Sequence, residues 1–174
     1  MMPSGLRKFM LTAHVTTSVG WLGAVAAFLV LAVAGLTSAD APRVRAAYLA
    51  MDLLGWFLIV PFSMASLLTG LVQAVGTRWG LLQHYWVFIK LLMTVLATLV
   101  LLLHMEPISS LSSLARETVF ARLDLHALRV QVAVDAAAAL LVLLVATTMS
   151  VYKPRGLTRY GRRHQGQETA LQAD

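Results

Sequence analysis

Lys90 sits in the run YWVFIKLLMTVL, a single positive charge among apolar residues. A charge inside a membrane-length segment is costly, and by default it marks a functional site. His14 sits in a second such run, TAHVTTSVGW, seven residues before Trp21. Seven residues are about two helical turns, so His14 and Trp21 share a face. A neutral imidazole can ligate a metal or haem iron. A buried lysine can lose its proton through desolvation, or hold an anionic group as a point charge. A plainer pairing is open as well: Lys90 snorkels to the headgroups and His14 bonds a hydroxyl such as Thr17 or Ser66. His84, six residues before Lys90, reads as an interfacial residue, with a second axial ligand as the alternative.

A second constellation is His104, Glu106, Asp124 and His126. Imidazole and carboxylate ligands suit a divalent ion such as zinc or copper. The same placement would also suit a bis-His haem between His104 and His126, ranked behind a ligand at His14. The alternative is ordinary helix-end polarity, with Asp124 capping the next helix. Arg129 and Asp135 are six apart in one helix and fall on nearly opposite sides. Asp135 therefore needs a partner elsewhere, such as Gln131, Ser63 or a proton, and Arg129 a partner such as Asp52.

Composition decides what holds these groups. The 174 residues are 59% hydrophobic and 13% charged, with a mean hydropathy of +0.75. A soluble domain would be about a quarter charged. No charge occurs between Phe9 and Ala39, or between Leu53 and Thr77. Uncharged runs beyond about 18 residues read as membrane spans. There is no cysteine, which excludes disulfides and thiolate chemistry. The net charge of +6 sits in short flanks, where it orients a membrane protein and does not point to nucleic acid.

Four spans are expected, at about 9–36, 46–76, 84–105 and 127–151. The fold class is thus an all-α, integral membrane four-helix bundle. Thr37–Arg45 reads as a loop with Pro42 as turn former, and Pro61 kinks the second span. Pro107 ends the third, leaving 108–125 as a short amphipathic helix on the outer surface. Ala13, Thr17, Gly20, Ala24 and Ala27 form a small-residue stripe on helix 1. Ser63, Ser66, Thr69, Gly70 and Gln73 form a polar one on helix 2, both suited to close packing in lipid. Lys90, Thr94, Ala97, Leu101 and His104 share a face of helix 3. Arg7, Lys8 and the basic tail 153–174 place both termini in the cytoplasm. His14 and Lys90 then lie at similar depth, roughly 6–9 Å in from that side.

Several short motifs recur together. Helix 1 reads HVTTSVGWLG, helix 2 ends in LLTGL, helix 3 opens YWVFIKLL, and helix 4 leaves through Tyr152-Lys153-Pro154. This set resembles small four-helix bacterial membrane proteins of the domain-of-unknown-function family 2269. These are related to the membrane domains of copper-resistance D proteins and to the HemJ type of protoporphyrinogen oxidase. The resemblance spans all four helices. It implies b-type haem, a helix-1 histidine matched by His14 and a helix-3 lysine matched by Lys90 as the activity-bearing residue. In the oxidases a helix-4 Arg is followed closely by Asn-Glu, whereas here Arg129 is followed by VQVAVD. The expected function is thus haem or porphyrin binding in a redox or haem-handling role, with His14, Lys90, His84 and Trp21 as the cofactor-binding set. The alternatives are a non-catalytic subunit of a larger membrane complex or a homo-oligomer, and copper passage. Copper passage is the weakest, since the eight Met are scattered. The expected location is the bacterial inner membrane.

Overall fold

The computed structural model of the chain describes residues 2–76, 85–116 and 125–152. The tail from 153 and the connections 77–84 and 117–124 lie outside them, and with them His84, Trp79 and Asp124. Four helical rods form, each long and apolar enough to cross a membrane. The protein is an all-α four-helix bundle.

The first rod is α1, Ser4–Thr37. It buries Trp21, Ala24, Val25, Phe28, Ala32 and Gly35, whose three- and four-residue spacing makes one stripe. That stripe is the centre of the bundle, because α1 packs against every other rod except the third. Its 34 residues span about 51 Å, well beyond a bilayer core of about 30 Å.

The second rod has three parts: α2 at Ala41–Leu54, a wide π-turn at Gly55–Ile59, and α3 at Val60–Gly76. Pro42 does not hold a loop open. It occupies the first turn of α2, where its missing N–H costs nothing and its fixed φ suits the helix. The expected loop shrinks to the turn at Ser38–Asp40, closed by Asp40 N–H donating to Ser38 Oγ at 3.2 Å. Pro61 acts one turn early. It has no N–H to offer the residue 57 carbonyl, and the turn just before it widens so that Val60 N–H reaches back five residues to Gly55 O. Such single π-turns are frequent at functional sites. Gly55 lets the Met105 methyl pack close to this turn, since a Cβ there would stand 2.6 Å from it.

The third rod corrects the sequence reading most. Pro107 does not end it: α4 runs unbroken from Tyr85 to Arg116. Residues 108–116 are amphipathic as expected, but they extend α4, and their apolar face turns into the bundle instead of lying on the bilayer. Met105, Ile108, Leu111 and Ala115 are fully buried in one cluster with Tyr48 and Met51 of α2. Burying that face outweighs the single hydrogen bond Pro107 removes. The two halves of α4 contrast sharply, because nothing between Tyr85 and Ala97 is buried. The fourth rod, α5, spans His126–Tyr152 and packs on α1 and α4.

Candidate functional site

The polar stripe of α3 meets the small stripe of α1 directly. His14 Nδ1 lies 3.1 Å from the Ser66 carbonyl oxygen and 3.1 Å from Thr69 Oγ1. Ser18 and Ser66 hydroxyls are 2.8 Å apart. Gln73 Nε2 donates to the Met10 carbonyl at 2.8 Å. Phe62 fills the notch at Gly20, and the His14 ring fills the notch at Gly70. These contacts close α1 onto α3 from Met10 to Gly20. The two helices are in direct contact there, with no room between them for a flat macrocycle.

The contacts fix the proton arrangement of His14. A carbonyl oxygen only accepts, so Nδ1 carries the hydrogen. Thr69 Oγ1 already donates to Ala65 O at 2.6 Å, so it too receives from Nδ1. The neutral ring then carries its lone pair on Nε2. This is how ligating histidines are held: the nitrogen away from the metal donates to a backbone carbonyl and fixes the tautomer. The donor chemistry of His14 therefore fits an axial ligand. The half of α4 that carries Lys90, Tyr85–Ala97, has no buried residue.

Lys90 is half-buried there. Among the described residues no carboxylate pairs with it. Thr94 Oγ1 donates to the Lys90 carbonyl at 2.8 Å, and the face Lys90, Thr94, Ala97, Leu101 and His104 is half-buried throughout, as its spacing predicts. Trp21 is 3% exposed, lies two turns along α1 from His14, and lines a cavity that His14 does not line.

Gly70 gives a direct reading of how firmly the ring is held. A Cβ there would come 3.0 Å from His14 Cε1. In a free helix Gly→Ala gains about 1 kcal/mol. With the ring pinned by Ser66 and Thr69, Gly70→Ala is expected to lose that gain to overpacking and lower the melting temperature. A higher melting temperature in detergent would mean that the ring yields freely.

The second constellation is placed differently from its sequence reading. His104 faces inward, with Nε2 3.1 Å from Asp135 Oδ2 and Nδ1 2.7 Å from the Val100 carbonyl. Glu106 and His126 are exposed, and among the described residues no group of three or more ligating side chains comes together. Asp135 thus finds a partner that sequence reasoning missed. The cause is Pro107: taken as a helix end, it put His104 at the surface. Counted back from Arg116, His104 lies three turns along α4, beside Asp135.

His104, Asp135 and Gln131 form the only polar part of an otherwise apolar cavity of about 320 Å³ between α1, α4 and α5. Trp21, Val25 and Phe28 make its back wall. His14 and Lys90 do not line it. Closer to the turn at Ser38–Asp40, Asp52 accepts from the Ser109 hydroxyl at 2.9 Å and from Ser112 at 3.3 Å. Arg129 lies over the Tyr48 ring, 5.8 Å from its centroid.

Compared with known proteins, the chain matches no family model, no curated protein and no solved structure.

Proposed function

We propose that this multi-pass membrane protein binds b-type haem through His14, in a redox or haem-handling role, with Lys90 placed to meet a propionate. The observation that carries this reading is the imidazole held by Ser66 and Thr69 with its lone pair on Nε2. Lys90 supports it as an intramembrane ammonium with no carboxylate partner among the described residues. The unburied inner half of α4 supports it further. Haem would supply one-electron chemistry there. The chain's own residues hold the iron ligand in one tautomer and present a cation beside it. Both termini lie in the cytoplasm in this reading, and the membrane is the bacterial inner membrane.

A second reading starts from the same half of α4. Tyr85, Phe88, Ile89, Leu92 and Leu96 are all exposed there. A further membrane subunit, or a second copy, would cover that face, and the chain would be a non-catalytic partner. One experiment separates the two. The protein is produced with haem supplied, purified in mild detergent, and its absorption spectrum and co-purifying subunits are recorded. A reducible b-type spectrum supports the first reading. A colourless preparation that carries other subunits supports the second.

Lys90→Arg tests the cation. An anchoring lysine tolerates arginine, since both reach the headgroups. A lysine fitted to one acidic group does not, because the guanidinium is larger and stays charged. Haem occupancy is expected to fall in Lys90→Arg; unchanged occupancy would make Lys90 an anchor only.

A further inference from the structure

We infer that the α4–α5 cavity is a binding site for a membrane-dissolved molecule of the isoprenoid quinone class, with His104 and Asp135 meeting its ring oxygens. This does not depend on haem at His14. His104 Nδ1 faces a carbonyl oxygen at 2.7 Å, so that nitrogen carries a hydrogen. Nε2 faces Asp135 Oδ2 at 3.1 Å. The two side chains stand in contact at a depth where an unpaired charge is costly. The contact is too poorly aligned for a hydrogen bond, and Asp135 Oδ2, although enclosed, makes none. The pair is thus close and only half-satisfied, with hydrogen-bonding capacity left over.

The rest of the cavity says what meets it. Leu96 and Val100 line it and yet are about half exposed on the bundle surface. It therefore opens through the lipid-facing side, and its occupant arrives from the bilayer. No Lys or Arg lines it, which disfavours a phosphate or carboxylate head. Small Ala97, Ala136 and Ala139 line it together with the aromatic rings of Trp21 and Phe28, a lining that suits a planar ring. About 320 Å³ is near the lower end of the range for small-molecule sites. A neutral ring carrying carbonyl or hydroxyl oxygens and an apolar tail satisfies all four conditions. A plain acyl chain fills the volume but leaves His104 and Asp135 unanswered, at the usual cost of an unmet polar group. Only binding is inferred.

Decylubiquinone is the probe, titrated into the full-length protein in detergent while tryptophan fluorescence is followed. Saturable quenching is expected, and it should vanish in Trp21→Phe, because Trp21 forms the cavity wall. His104→Phe keeps the bulk and removes the hydrogen bonding, and should raise the dissociation constant roughly tenfold. Ala139→Leu fills the cavity and should abolish the signal; a melting curve of each variant confirms folding. Three results would overturn the inference: no saturable quenching in the wild type, an unchanged constant in His104→Phe, or equally strong competition by undecane, which would make this an acyl-chain groove.

Discussion

His14→Ala is expected to remove bound b-type haem completely while the protein still inserts and folds. Nε2 of His14 is the one donor held in a ligating tautomer within the α1–α3 contact, and alanine supplies nothing in its place. Folding should survive because the Ser18–Ser66 and Gln73–Met10 bonds remain. Interhelical hydrogen bonds in membranes contribute about 0.6 kcal/mol on average, so losing those to Ser66 and Thr69 lowers the melting temperature only slightly. The check is an absorption spectrum beside a melting curve for each variant. His126→Ala is the control, since His126 is exposed at the start of α5 and should leave the spectrum alone. Haem retained in His14→Ala would remove His14 as the ligand. Added imidazole restoring the spectrum would confirm that only the ligand atom was lost.

The second large effect is on stability and lies at the other end of the bundle. Asp52 is the acceptor that ties α2 to the extension of α4, through Ser109 and the fully buried Ser112. Hydrogen bonds to a charged acceptor contribute about 1.5–3 kcal/mol each. Asp52→Ala removes both and leaves Ser112 buried without its partner. A loss of about 3 kcal/mol is expected, read as a lower melting temperature. Asp52→Asn keeps one acceptor oxygen and should lose less than half of that. Haem occupancy should be unchanged in both, because Asp52 and His14 lie at opposite ends. Equal stability of Asp52→Ala and the wild type would show that apolar burial alone holds residues 108–116 in place.

Most of the architecture was legible in the sequence. Long uncharged runs place four spans whatever the details of packing, because lipid offers backbone groups no partner outside a helix. The stripes on α1 and α3 were legible for the same kind of reason: small and hydroxyl residues at helical spacing have few other uses. What those stripes do was harder to see. Small residues that leave room for a cofactor are the same residues that let two helices close, and here Ser18, Ser66 and Gly70 close them. The prolines misled in a consistent direction. Pro42 and Pro107 each suggested a break, and each is accommodated, by a first-turn position and a buried helical face respectively, while Pro61, read as a kink, follows a π-turn. A proline's local cost is fixed, whereas the burial it competes with depends on residues far away, such as Tyr48 and Met51. The His104–Asp135 pair was hidden by that same error.

The most direct test of His14 ligation is a haemin titration of the wild-type protein in detergent, run beside His14→Ala and protein-free micelles. Haem partitions into micelles by itself, so only the difference between these samples is informative. Stoichiometric saturation at one haem per chain, giving a low-background b-type spectrum on reduction that neither control shows, is the predicted result. A wild-type titration that follows His14→Ala and the empty micelles without a break would contradict it.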